Sequence, residues 1–478
     1  MRSLTRTLAG TGVFELSIAL IAVVLAYWSS LDGYFHGDDF VAFVDMATKP
    51  LGDHLYDAAI FQDNNYYWRP LGQLYYRVIY ETAGLQAWVF RVSNLAVFLI
   101  SLVLLHRLCL NLGLSRVAAI AAVVIFGLFP NHVVSVAWVT NAPRLIAMMF
   151  FLLSLLFLGK AIENRSWRLE GAAWLCMVLA CLSDEVTIAM APLPVVYAFL
   201  IDSEYRTPGK FALRLLAYGA IVLALLPLQF LFTPDDEPRL ALYGIGWHMP
   251  GQAWALASQL ALPLADANPM DVPEVWMSDT QFAAGAALLA VLGLCVLAGS
   301  GRVRFLALWV MAALVPFTLW NVEVVAPRYV YLAAAPFAVL MALLGSAAFE
   351  RIRFVPVRMS IAGTAAVALI VAAVFGSVQT QARDGNWEKA TDDYRVLAHG
   401  LQAVKEDVPS GSRVVVLDGP WLPFWYWPVA TVRTIYEDPT LWAVSVPPGW
   451  PVESLPNDVI VYHSEGRIFL TKDALTRP

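Results

Sequence analysis

The residue types best placed to do chemistry are the acidic pair in His36-Gly37-Asp38-Asp39-Phe40 and, about thirty residues on, the arginine of Tyr66-Tyr67-Trp68-Arg69-Pro70. A carboxylate can take the proton of an attacking hydroxyl as a bond forms. The planar guanidinium of arginine matches phosphate oxygens. An acidic pair directly after an apolar run, in a loop rich in aromatics, is poorly explained by packing alone. The plain alternative is a helix cap, since aspartate accepts hydrogen bonds from the first amides of a helix, here one starting near Phe40. One aspartate suffices for that task. Further charges stand at the edges of apolar stretches: Arg144, Asp184, Glu185, Glu323 and Arg328. Charge near lipid is costly, so each marks a candidate site, with ion pairing as structural glue the alternative.

What positions these residues follows from composition. The 478 residues are 59% hydrophobic and 14% charged, with a mean hydropathy of +0.64 and a formal net charge of −6. Several apolar runs are long enough to cross a hydrocarbon core of roughly 30 Å, so the chain reads as an α-helical polytopic membrane protein. A nucleic-acid role is not expected. Spans are drawn at 12–30, 89–110, 117–137, 145–162, 170–183, 186–202, 211–232, 282–299, 305–321, 329–348 and 358–378, about eleven in all, with 170–202 alternatively one broken hairpin. Alternate loops carry the basic residues, from Arg2 and Arg6 to Arg351, Arg353 and Arg358, and these loops are cytoplasmic by the positive-inside rule. Loops 31–88, 138–144, around 184, 233–281 and 322–328 then face outward with the tail from 379. Asp38, Asp39, Arg69, Arg144, Asp184, Glu185, Glu323 and Arg328 then fall on that outward side.

The expected organisation is a membrane domain, 1–378, with a large first outward loop at 31–88, and a small extracytoplasmic α/β domain at 379–478. In the first loop Leu71, Leu74, Tyr75, Val78 and Ile79 repeat at helical spacing. That helix either lies in the membrane interface or packs on the bundle, with Arg69-Pro70 at its start. The acidic cluster Asp235-Asp236-Glu237 sits between prolines with no histidine nearby and reads as a solvated turn. In the tail, Trp387, Ala390, Tyr394, Leu397, Leu401 and Val404 form an amphipathic helix, Arg413 to Leu417 and Val459 to Tyr462 form strands, and Ser464-Glu465-Gly466 a hairpin turn. The aromatic segment Trp421–Pro428 suits a membrane interface or a sugar-stacking platform. Cys109, Cys176, Cys181 and Cys295 lie in or beside apolar runs with no metal-ligand spacing, so neither a disulfide nor a zinc site is expected.

Gly37-Asp38-Asp39-Phe40 and Tyr67-Trp68-Arg69-Pro70-Leu71 together resemble the membrane glycosyltransferases of the GT-C superfamily, nearest to the protein O-mannosyltransferase-like branch. The likeness continues through Pro130-Asn131-His132, Val136-Ala137-Trp138 and Arg144, then Leu182-Ser183-Asp184-Glu185 and Pro327-Arg328-Tyr329-Val330-Tyr331. It covers roughly 30–345 by ordered short motifs. Two departures stand out: the usual Ser-Lys-Glu is Ser183-Asp184-Glu185, and a glutamate often following Pro-x-His is absent near Ser135.

The resemblance implies transfer of a sugar from a polyprenyl-phosphate-linked donor to an acceptor hydroxyl on the extracytoplasmic face. By the same resemblance Asp38 is the general base and Asp39 its orienting neighbour. Arg69, Arg144, Arg328, Tyr329, Tyr331, His132, Asp184 and Glu185 are then expected to bind the donor phosphate and substrate. The implied partners are the lipid-linked donor, the bilayer and an acceptor whose identity stays open. The implied location is a bacterial cytoplasmic membrane with the N-terminus cytoplasmic. No cofactor is expected, a divalent cation at Asp38 and Asp39 being left open. The competing readings are a transporter or flippase of a lipid-linked glycan, and a non-catalytic scaffold or sensor.

Overall fold

A computed structural model describes residues 2–60, 67–201, 208–231, 243–263, 278–320, 326–350, 376, 378, 391–392, 394–417, 426–446, 458–464 and 467–471. The chain divides into two compact units. The first comprises Met1–Trp28, Ser93–Ala137 and Asn141–Asp384, the second Ser29–Val92, Trp138–Thr140 and Gly385–Pro478. This cut differs from the boundary at 378 read from the sequence, because the first outward loop groups with the C-terminal segment.

The first unit is helical and apolar. Among the described residues six helices are long and apolar enough to cross a membrane: Ala87–Asn111, Val139–Asn164, Gly209–Gln229, Asp279–Ala298, Gly301–Thr318 and Pro327–Phe349. A seventh crossing is the pair Arg116–Gly127 and Pro130–Ala137, bent by 51°. Pro130 has no amide hydrogen and cannot continue the preceding ladder. The chain is thus a multi-pass integral membrane protein. Leu213, Leu216 and Leu223 stand exposed on the Pro208–Leu231 helix, which suits lipid, a medium as apolar as leucine itself.

The count of eleven spans is not reached among the described residues. The expected first span contributes the fifteen-residue Gly12–Ala26 stretch. Region 170–202 is the Trp167–Ser183 helix, a break at Asp184, the 3-10 segment Glu185–Met190 and the short Leu193–Ile201 helix. Residues 358–375, Glu323 and the acidic turn at 235–237 lie outside the described residues. The long helices Ala142–Asn164 and Trp167–Ser183 form a hairpin whose turn passes through Arg165 at φ 49°, a left-handed helix cap. Across it the Ser154 hydroxyl donates to the Ala173 carbonyl at 2.7 Å.

The second unit combines the helices Gly37–Thr48, Leu51–Ile60, Pro70–Ala83 and Tyr426–Tyr436 with a helix over 394–403 and a four-stranded sheet. Strands β1 (Arg413–Leu417), β2 (Trp442–Val446), β3 (Asp458–Ser464) and β4 (Arg467–Thr471) lie in the order β2-β1-β3-β4. β1 pairs in parallel with β2 and β3, and β4 runs antiparallel to β3. Arg413 and Asp458 face each other on the first rung, joined through Nε–Oδ1 at 2.8 Å and Nη2–Oδ2 at 2.6 Å. Tyr394, Leu397, Leu401 and Val404 are buried, as the periodicity predicts; Trp387 and Ala390 lie outside the described residues. On the Pro70–Ala83 helix the burial follows only part of the apolar stripe, with Ile79 buried. Gln73 and Arg77 are buried, while Leu74 and Val78 of the apolar stripe are exposed. Arg77 is satisfied inside by donating to the carbonyls of Met46 and Lys49 at 2.8 and 3.1 Å.

Candidate active site

In the second unit the acidic pair opens the Gly37–Thr48 helix, whose N-cap is His36, three residues ahead of the expected start at Phe40. The two carboxylates have different surroundings. Asp39 is fully buried; its Oδ2 accepts from the His36 amide at 2.8 Å and its Oδ1 from the Thr140 amide at 2.9 Å. Reaching back to the N-cap amide from the third helical position is a capping-box contact, so Asp39 does the capping. Burial pushes its carboxyl up to about 7, against the lowering effect of the His36 and Thr140 amides and the Arg91 charge. Asp38 is half-buried, and its Oδ1 accepts from Trp427 Nε1–H at 2.7 Å.

The turn before the pair is held by Arg91, which donates to the carbonyl of Ser30 at 2.9 Å and to that of Tyr34. The His36 ring meets Trp427, Tyr394 and Trp138 edge-on at centroid distances of 4.8, 4.9 and 5.5 Å. Arg69 is the N-cap of the Pro70–Ala83 helix, with Pro70 at its first position. Its guanidinium lies 4.6 Å over the Tyr67 ring.

The remaining sequence candidates lie in the first unit. Arg144, near the start of the Ala142–Asn164 helix, donates through Nε to Asp184 Oδ2 at 2.8 Å. Its Nη1 reaches the Arg328 carbonyl at 3.4 Å, and it stands 5.3 Å over the Phe317 ring. Asp184 breaks the chain after Ser183 and caps the next turn, its Oδ1 accepting from the Val186 amide at 3.3 Å. Both members of the pair are buried, and half-buried Glu185 follows directly. Arg328 is half-buried, 5.1 Å over the Tyr329 ring, and Tyr329 stacks on Phe317 at 4.6 Å. Tyr331 and His132 are packed against each other at 4.9 Å in a wholly buried aromatic cluster with Phe126 and Phe98.

Among solved structures the chain is similar to the Archaeoglobus fulgidus oligosaccharyltransferase, tethered with an acceptor peptide containing the NVT sequon. The identity is 13% and the TM-score 0.54, over 91% of this chain and 64% of that one. Its apo form gives 12% and 0.52 over the same shares. ArnT from Cupriavidus metallidurans in the apo state gives 14% and 0.51, over 91% of this chain and 86% of that one. The chain has the GT-C fold. It spans 64% of the length of the oligosaccharyltransferase. No protein-family profile and no curated protein matches the chain.

Within the second unit, residues to which sequence reasoning assigned no role at the acidic pair stand around it: His36, Arg91, Thr140, Tyr394 and Trp427. Trp427 belongs to the aromatic segment read as an interface or stacking platform, yet its polar edge is turned to Asp38. The density of tryptophans there was the signal, but its direction was not legible. Thr140 acts through its backbone amide alone, which no side-chain pattern could reveal. Among the described residues no group of three His, Cys, Asp or Glu side chains could hold a metal ion.

Proposed function

We propose that the protein is a GT-C-type glycosyltransferase that moves a sugar from a polyprenyl-phosphate-linked donor to an acceptor hydroxyl on the extracytoplasmic face of the membrane. The observation that carries this reading is the unequal pair at the start of the Gly37–Thr48 helix. Asp39 is buried, with both oxygens on backbone amides, whereas Asp38 is half-buried and carries a side-chain donor on Oδ1. Asp38 is thereby the carboxylate suited to act on a substrate, and Asp39 the one that fixes the turn.

In the proposed reaction the acceptor oxygen forms a bond to the sugar's anomeric carbon as the carbon–oxygen bond to phosphate breaks. The acceptor proton passes to Asp38, and the leaving lipid phosphate keeps the electron pair. Charge that develops on a leaving phosphate needs a matching cation. The resemblance gives this task to Arg328, with help from Arg144 or Arg69, since a planar guanidinium matches phosphate oxygens. A single displacement of this kind inverts the anomeric centre. The fold likeness supports the reading, as does the order of the motifs.

The bent Arg116–Gly127 and Pro130–Ala137 pair is the one observation favouring the transporter reading. Transporters built from repeats carry such breaks in matching pairs, and one bent pair is found among the described residues.

The test uses the full chain in detergent with a panel of polyprenyl-phosphate-linked sugars, following release of the lipid phosphate. Wild type is expected to release it and Asp38→Asn to lose about 10²–10⁴ in rate, the usual worth of a general base. A folded Asp38→Asn protein turning over like wild type removes Asp38 as the base.

A further inference from the structure

We propose that Trp427 is a positioning residue for Asp38. Its indole N–H pins one carboxylate oxygen and so fixes the direction in which the other meets the acceptor. The inference rests on the reading of Asp38 as base.

A buried indole N–H finds a hydrogen-bond partner as a rule. Here the partner is a carboxylate 389 residues away, at 2.7 Å, and not a nearby carbonyl. The ring is held on several sides. Gly37 supports its flat face so closely that an added Cβ would stand 2.2 Å from Cδ2. His36 meets it at 4.8 Å with the rings 77° apart, and Tyr394 at 6.2 Å and 71°. The helix that carries Trp427 is tied to the Gly37–Thr48 helix by the Thr434 hydroxyl, which donates to the Phe40 carbonyl at 3.1 Å. Trp427 itself is buried. The indole cannot swing without unpacking these contacts, so the donor is stationary.

A stationary donor has two consequences for a half-buried carboxylate. It selects one orientation of the group before substrate arrives, which removes a reorganisation that reaction would otherwise require. It also favours the ionised form, because the hydrogen bond is stronger to a carboxylate than to a neutral acid. Both serve a base. Simple packing would need the ring but not the N–H, and this separates the two accounts. The other titratable groups about this turn are Asp39, His36 and Tyr394, with Arg91 acting on Asp39.

Full-length protein labelled with 15N-tryptophan in detergent micelles gives one indole N–H signal per tryptophan, and the Trp427 signal is the one lost in Trp427→Phe. It is expected to move with pH in wild type and to stay fixed in Asp38→Asn. In the lipid-phosphate release assay, Trp427→Phe is expected to lower kcat by about 10–10²-fold, leave KM for the donor unchanged and move the acid limb of the pH–rate profile upward. Trp427→His, which restores an N–H donor, recovers part of the loss. A Trp427 signal that ignores both pH and Asp38→Asn overturns the proposal, as does Trp427→Phe with wild-type kcat and pH profile. Should Trp427→Phe fail to fold, the indole signal that shifts between wild type and Asp38→Asn decides, and the absence of any such signal also overturns it. A normal rate in Asp38→Asn is a different failure, since it sinks the base reading itself. An inactive Asp38→Asn beside an unaffected Trp427→Phe sinks the positioning role alone.

Discussion

Two adjacent aspartates on one helical turn have different surroundings because their partners come from different places. Asp39 turns inward to the amides of His36 and Thr140; Asp38 turns to an indole. The arginines of the first unit divide in a similar way. A buried ion pair is retained because breaking it strands a charge, and Arg144 with Asp184 is such a pair at 2.8 Å. Half-buried Arg328 has a different setting, beside the Tyr329 ring. If it recognises phosphate with two parallel N–H donors, Arg328→Lys should weaken donor binding about tenfold while leaving thermal unfolding unchanged, since lysine offers only a point charge. Donor titration and a melting curve on the same preparation check this, and wild-type affinity would refute bidentate recognition.

At the scale of elements, the sequence reading succeeded where one short pattern decides the structure. The runs at Arg413–Leu417 and Asp458–Ser464 are strands, and the i, i+3, i+4 spacing through Leu401 is a helix with its apolar face inside. It failed where long-range partners decide. β2 was missed because Trp442 and Val444 stay exposed, so its alternation carries little apolar signal. The burial of Arg77 on the Pro70–Ala83 helix was not legible because it depends on the carbonyls of Met46 and Lys49, which accept from it. The unequal surroundings of the acidic pair depend on residues 101 and 389 positions away. Gly37 offers a test of how tightly these elements fit. Gly37→Ala drives a methyl into the Trp427 ring and is expected to cost about 1–3 kcal/mol, the usual range for overpacking. Gly52→Ala, with nothing within 4 Å of the new atom, should be neutral or stabilise its helix by about 0.5–1 kcal/mol. Equal melting temperatures for the two variants would contradict this packing.

For the whole molecule, the basic loops predict that Ser29–Val92 and Gly385–Pro478, which group in one compact unit, lie on the same side of the membrane. The number of crossings between them is then even, as it is for the ten spans drawn there from the sequence. That this side is the outer one is the prediction of the basic loops. Single cysteines at Glu406 and Ser300, both exposed, should report opposite sides to an impermeant thiol reagent, with Glu406→Cys labelled in intact cells and Ser300→Cys only after lysis. The four native cysteines are buried, so background is low. The reverse pattern would invert the topology and move the acidic pair to the cytoplasm.

The separation of Asp38 from Trp427 also sets a clock for biosynthesis. Ribosomes add about 5–20 residues per second, so the 389 residues between them take roughly 20–80 s to translate. Throughout that interval the nascent first loop holds its acidic pair without the indole, the sheet or the helix that will cover it. The second unit can close only at the end of synthesis, after every intervening span has been inserted. A chain stalled or truncated before Trp427 would be threaded through the membrane yet lack the indole that meets Asp38.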